Sequence, residues 1–257
     1  MRFLLAIILG TALITSCRKV IDVNLNETDP VTVIEANYSA EDSTVRVLVS
    51  KTTSYFDNTT NMVNDALITI TDQAGGVQTI PLVSNGLYEL TGYVPQFNTT
   101  YTITVSQGGE MYTATAYLHD AIPQEPIFYE YIEEGFFGGE GGYLAYVSYN
   151  DPIQEGDYFF VEYTRNDTVG GSFQNDDLLT NGNLVNVPLF QEFFKLGDTV
   201  EIELRTIDKK VFKYNTEIEG ATDTGGAAPA NPTYQWTNRA LGYFSAHASS
   251  RQSVVIQ

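Results

Sequence analysis

The sequence predicts a mainly β protein: an N-terminal immunoglobulin-like sandwich, followed by a second antiparallel β domain that carries one α-helix. Three observations support this fold class. Short runs in which apolar and polar residues alternate recur along most of the chain, and a period of two is typical of half-buried strands. Clusters of glycine, asparagine and aspartate separate these runs. Near residues 208–219 the apolar residues instead recur with a helical period.

The first domain is expected to span residues 31–119. Ser84-Asn85-Gly86 and Gln107-Gly108-Gly109-Glu110 lie between strand-like runs and provide glycines where hairpins need positive φ. The number and length of the runs fit an immunoglobulin-like sandwich without its disulfide. Alternation should place Val45, Val47 and Val49 in the core. The runs are 31–38, 45–50, 66–71, 77–83, 87–90, 101–105 and 111–116.

The second domain is expected to span residues 127–257, after a linker that contains Pro123 and Pro126. It should form an antiparallel sheet and end in a hairpin. The predicted strands are 127–132, 143–149, 158–164 and 199–206, with hairpin strands 241–248 and 253–256.

The helix predicted near residues 208–219 has a start signal and a stop signal. Asp208 can cap its N-terminus, and Gly220 stands where a helix end favours positive φ. A loop rich in glycine, alanine and proline should follow over 222–232. One face of the helix should be apolar through Ile207, Val211, Tyr214 and Ile218.

The N-terminus predicts a lipoprotein signal peptide over residues 1–16 and a lipidated tether over residues 17–30. Arg2 precedes an apolar run that ends just before Cys17, as in signals cleaved ahead of an acylated cysteine. The run is too short to be a transmembrane helix. The alternative is an ordinary signal that is cleaved or retained. We therefore expect Cys17 to anchor the protein to a membrane through acyl chains.

Composition excludes several classes of protein. The formal net charge is −19, and an acidic surface repels phosphate backbones, so we expect no nucleic-acid partner. Cys17 is the single cysteine, so the mature chain should have neither disulfides nor thiolate metal ligands.

Catalytic and metal-binding motifs are weak, so we expect a protein that is not an enzyme and has no cofactor and no metal centre. A nucleophile elbow is absent. The two histidines, His119 and His247, lack the spacing of zinc ligands. Calcium stays open at two oxygen-rich stretches, residues 150–157 and 175–177, although such turns also form for local hydrogen-bonding reasons.

Aromatic residues provide the candidate binding surface. Tyrosine and tryptophan combine a large contact area with a polar group, which suits recognition. Alternatively, these side chains are ordinary strand residues, and the two phenylalanines of the glycine-rich loop 133–142 plug one end of the second domain. The candidates are Tyr129, Tyr131, Phe136, Phe137 and Trp236.

Short segments along the whole mature chain carry a family resemblance. They are 17–25, 33–36, 85–88, 197–200, 207–209 with Tyr214, 231–232 and 240–246. In this order and spacing they resemble a family of bacterial lipoproteins known as domain of unknown function 4249. The resemblance implies an outer-membrane lipoprotein, facing either the periplasm or the cell surface, with no catalytic residues to carry over.

The expected function is that of a non-enzymatic binding or accessory lipoprotein. The resemblance implies an outer-membrane partner, a TonB-dependent transporter that captures nutrients, and leaves the ligand unknown. The alternative is a structural or adhesive envelope protein that uses tandem β-domains as spacers.

Overall fold

The alternating runs of the sequence form strands in a computed structural model, which describes residues 29–53, 59–135, 141–222 and 232–257. The strands of the first half are β1 (Thr32–Ser39), β2 (Thr44–Lys51), β3 (Asn61–Met62), β4 (Leu67–Thr71), β5 (Val77–Ile80), β6 (Leu82–Ser84), β7 (Leu87–Thr91), β8 (Thr99–Gln107) and β9 (Glu110–Leu118). The second half contains β10 (Phe128–Ile132), β11 (Gly142–Asn150), β12 (Tyr158–Arg165), β13 (Thr168–Asp176), β14 (Leu184–Pro188), β15 (Thr199–Ile207), helix α1 (Lys209–Thr222) and β16 (Leu241–Val255). These elements confirm a mainly β protein with one helix in the described part of the chain.

Strand β16 joins the two halves of the molecule. Its first part, 241–247, pairs in parallel with β1, and its second part, 248–255, pairs antiparallel with β15. One nine-stranded sheet therefore runs through both halves in the order β13-β12-β15-β16-β1-β2-β7-β6, with β3 beside β2. The predicted C-terminal hairpin is wrong, because residues 241–255 continue as one strand without a turn.

The first sandwich forms where the sheet β5-β4-β8-β9 packs on the β16-β1-β2-β7 part of the large sheet. Val45, Val47 and Val49 are fully buried in its core, as alternation predicted. Trp236 and Phe244 lie in the same core. The chain therefore returns to the first sandwich after leaving it, which the sequence pattern did not predict.

The second sandwich forms between the sheet β10-β11-β14 and the β13-β12-β15-β16 part of the large sheet. Strands β13 and β14 were not predicted, because β13 contains Gly170 and Gly171 and β14 contains Pro188. The Tyr163 ring leaves no room for a side chain at position 170. A Cβ on Gly170 would lie 2.2 Å from the Cε2 atom of Tyr163. This close contact between β12 and β13 therefore requires glycine in a strand, although glycine has a low strand propensity.

Helix α1 packs on the outer face of the large sheet. Asp208 caps it as predicted, since its Oδ1 atom accepts a hydrogen bond from the Lys210 amide at 2.8 Å. The predicted end at Gly220 is wrong, because the helix continues to Thr222 and Gly220 does not adopt positive φ. Within the described ranges, no helix combines the length and apolarity required to span a bilayer.

Candidate functional site

The outer face of the three-stranded sheet presents an aromatic pair. The register of β10 and β11 places Phe128 directly opposite Tyr146. Their rings are stacked, with centroids 4.4 Å apart and planes 8° from parallel. The Tyr146 hydroxyl donates a hydrogen bond to Glu130 on the same face. This bond, together with burial, raises the pKa of Tyr146 to about 12, so the hydroxyl remains a donor at neutral pH.

A groove of about 530 Å³ lies beside this aromatic pair. We call it the outer groove, and its lining residues are Glu125, Pro126, Phe128, Ser148, Asn150, Leu184 and Asn186. Phe128 is 44% exposed and Leu184 is 55% exposed, so both walls present apolar surface to solvent. The Asn150 side chain donates a hydrogen bond to Glu125 at 2.7 Å, which holds one rim in place.

Ser148 gives the outer groove an unusual polar group. The residue is only 3% exposed, and its hydroxyl is buried without a hydrogen-bond partner in the described part of the protein. A buried polar group without a partner is unfavourable, and such groups in native proteins are rare. The apolar walls and the two asparagines, Asn150 and Asn186, can together bind a partner non-covalently.

The aromatic residues predicted from the sequence do not form one surface. Tyr129 packs against the second core, and its hydroxyl accepts a hydrogen bond from the Gln257 amide at 3.1 Å. Tyr131 is 60% exposed and contacts the edge of the Tyr143 ring. Strand alternation places both on the face opposite to Phe128. Phe136 and Phe137 lie outside the described residues.

Trp236 is not part of any surface, so its assignment as a binding residue is wrong. It is 2% exposed, and its indole nitrogen donates a hydrogen bond to the Ile34 carbonyl at 3.0 Å. Sequence reasoning missed Phe128 instead, although it lies in a predicted strand. The period of two within that strand would have separated Phe128 from Tyr129 and Tyr131.

A second polar region lies on the outer face of the large sheet, next to helix α1. We call its four charged or titratable side chains the junction cluster: Glu203, Arg205, His247 and Arg251. Glu203 is hydrogen-bonded to Arg205 at 2.6 Å and paired with Arg251 at 3.0 Å. Burial opposes ionisation of Glu203, but the hydrogen bond and charge of Arg205 keep its pKa below the usual value. A small cavity of about 120 Å³ adjoins this cluster.

His247 makes the stability of the fold sensitive to acid. Burial, and then repulsion by Arg205, lowers its pKa to about 4, and its Nδ1 atom lies 3.2 Å from the Ser245 hydroxyl. In the unfolded chain the imidazole titrates near pH 6.5, so between about pH 6.5 and 4 the unfolded state binds more protons. As the pH falls from about 6.5 to 4, the free energy of unfolding should therefore decrease, by up to about 3 kcal/mol for this residue.

Urea unfolding at pH 7 and pH 4.5 tests this prediction. The other charged groups facing the imidazole are Glu41, Glu203 and Arg251, and Glu203, whose pKa is lowered, also loses stabilisation in acid. The loss of unfolding free energy between pH 7 and pH 4.5 must therefore be compared between wild type and His247→Gln. The variant should lose less stability between the two pH values than wild type. Identical losses would contradict a neutral buried imidazole.

The protein is built from two β-sandwiches that share one strand, and the outer groove lies on the second of them. A family model described as "Domain of unknown function (DUF4249)" matches residues 18–253. The chain belongs to this family. No curated protein matches the chain.

Solved structures show remote likenesses to this chain. A structure titled "Cytokine receptor complex" covers 85% of this chain and 94% of its own, with 12% identity and a TM-score of 0.30. A two-domain fibronectin type III segment of chicken tenascin covers 88% of this chain and 100% of its own, with 14% identity and a TM-score of 0.25. These scores are too low to support an argument about function.

Proposed function

We propose that this protein is a non-enzymatic binding lipoprotein of the outer membrane, and that the outer groove binds its partner protein. The observation that carries this proposal is the outer groove itself, in which Phe128 and Leu184 are exposed together. Protein interfaces are enriched in aromatic residues at their centre. A partner that fills the groove would bury Phe128 and Leu184.

The partner that we propose is a TonB-dependent transporter. Support comes from the sequence, which resembles lipoproteins expected to work beside such transporters, and from the predicted acyl anchor at Cys17. An anchor confines both proteins to one membrane, and confinement raises their effective concentration. A modest groove can then maintain a complex that would dissociate in free solution.

Affinity purification from detergent-solubilised membranes tests this proposal, with the transporter identified by mass spectrometry. Phe128→Ala should reduce the recovered transporter about tenfold, because truncating an aromatic residue at the centre of an interface typically costs 1–2 kcal/mol or more. Phe97→Ala is the matched control, since Phe97 is also 44% exposed but lies in the first sandwich. The control should recover as much transporter as wild type.

The groove and the anchor are tested separately. Cys17→Ser should move the protein into the soluble fraction without altering the groove. Thermal unfolding should show that both phenylalanine variants remain folded. If Phe128→Ala and Phe97→Ala recover equal amounts of transporter, the outer groove is not the docking site.

One observation favours the alternative function of an envelope spacer. Strand β16 belongs to both sandwiches, so the connection between them is a continuous strand rather than a flexible linker. A stiff connection suits a protein that holds another domain at a fixed distance. If the function is that of a spacer, Phe128→Ala should be tolerated in every binding assay.

A further inference from the structure

Two oxygen-rich loops meet at one end of the second sandwich. Loop 151–157 follows β11, and loop 177–183 joins β13 to β14. The Asp151 amide donates a hydrogen bond to the Asn183 carbonyl at 2.9 Å, and the Gly182 amide donates to the Pro152 carbonyl at 3.1 Å. Stretches that are separate in the sequence thus form one structural unit.

Three carboxylates gather between these loops, and we call Asp151, Asp157 and Asp177 the carboxylate cluster. Oδ2 of Asp177 accepts hydrogen bonds from the Gly156 amide at 2.5 Å and the Asp157 amide at 3.0 Å. Among the ion pairs of the described ranges, none includes a member of this cluster. Burial, followed by the charge of Asp177, raises the pKa of Asp157, and His119 opposes this effect.

Three oxygen atoms at this place are buried and have no hydrogen-bond donor in the described part of the protein: Asp151 Oδ1, Asp157 Oδ2 and Asn181 Oδ1. Asp151 is only 4% exposed, and its other oxygen already accepts a hydrogen bond from the Thr180 hydroxyl at 2.7 Å. The Asn181 side-chain nitrogen donates to the Asp177 carbonyl at 3.0 Å, which fixes the orientation of the amide. The oxygens of an ionised carboxylate and of a side-chain amide only accept, so in that state they require a donor or a cation.

We propose that Asp151 Oδ1, Asp157 Oδ2 and Asn181 Oδ1 bind a calcium ion between the two loops. Calcium takes roughly six to eight oxygen ligands in irregular geometry, whereas magnesium requires a near-ideal octahedron. In the described ranges, no three histidine, cysteine, aspartate or glutamate side chains are already arranged around a metal position. The proposed set accordingly uses two carboxylates and one amide, with main-chain carbonyls and water as the remaining ligands.

Thermal unfolding of the full-length protein in detergent, with EGTA or with calcium chloride, tests this site. Calcium at about a hundredfold excess over its Kd should raise the unfolding temperature of wild type by about 5 °C or more. The same concentration of magnesium chloride should have a much smaller effect. Asp151→Asn and Asp157→Asn should abolish the calcium shift. In EGTA, both variants should be at least as stable as wild type, because each substitution removes a buried charge.

Glu155→Gln is the matched control, since it removes one negative charge from an exposed position in the same loop. This variant should keep the full calcium shift. A wild-type protein that does not respond to calcium would overturn the proposal. A calcium shift retained in Asp151→Asn and Asp157→Asn would also overturn it, because the effect would then come from diffuse binding to the acidic surface. An equal shift with magnesium would overturn the assignment to calcium.

Discussion

Replacing Gly242 with alanine is expected to prevent the protein from folding. Gly242 lies opposite Ile34 in the parallel pair of β16 and β1 and has a φ of +96°. An added Cβ would lie 2.1 Å from the Ile34 carbonyl oxygen, which is a backbone atom that cannot move aside. Backbone strain and steric overlap together should cost more than about 4 kcal/mol, a large part of the stability of a typical domain.

Gly220→Ala is the control for this prediction. Gly220 is exposed in helix α1, and an added Cβ would meet nothing within 4 Å. This substitution should be neutral or stabilising by up to about 1 kcal/mol, because alanine is the better helix former. Soluble yield and urea unfolding measure both effects. A Gly242→Ala protein as stable as Gly220→Ala would show that β1 and β16 are not this close.

Replacing Trp236 with alanine should have the next largest effect, a loss of about 3–5 kcal/mol in the free energy of unfolding. The substitution leaves a large cavity in the first core and removes the hydrogen bond to the Ile34 carbonyl. Trp236→Phe should lose much less, because it retains most of the packing and forfeits mainly the hydrogen bond.

Tyr234→Ala provides the exposed counterpart two residues away. Tyr234 is partly exposed, and its ring faces the Arg239 guanidinium, so its loss should cost less than about 1 kcal/mol. Urea unfolding measures all three variants. If Trp236→Ala reduced transporter recovery while leaving stability unchanged, the placement of Trp236 in the core would be wrong.

Much of the fold could be predicted from local patterns in the sequence. The period of two identified the strands that have one buried face, such as β2 with Val45, Val47 and Val49. The return of β16 to the first sandwich could not be predicted, because no local pattern encodes a partner more than 200 positions away. Strand β13 was missed for a related reason, since its glycines accommodate the Tyr163 ring.

The candidate site was harder to predict than the fold. Aromatic content pointed to the half of the chain that contains the outer groove. It did not distinguish Tyr129, which packs against the core, from Phe128, which lines the outer groove. For the proposed calcium site, the sequence marked residues 150–157 and 175–177 as oxygen-rich stretches but did not single out Asn181. Only the folded chain brings Asp157 beside Asp177 and buries Asp151.

The strand shared by both sandwiches has a consequence for biogenesis. The first sandwich cannot complete its core until residues 236–248 have been synthesised. Its long-range pairing implies slow folding, and the exposed edge of β1 invites aggregation in the meantime. A chaperone would have to protect the strands that precede β16 until that strand arrives. A product truncated before β16 should be degraded rather than persist as a half-active fragment.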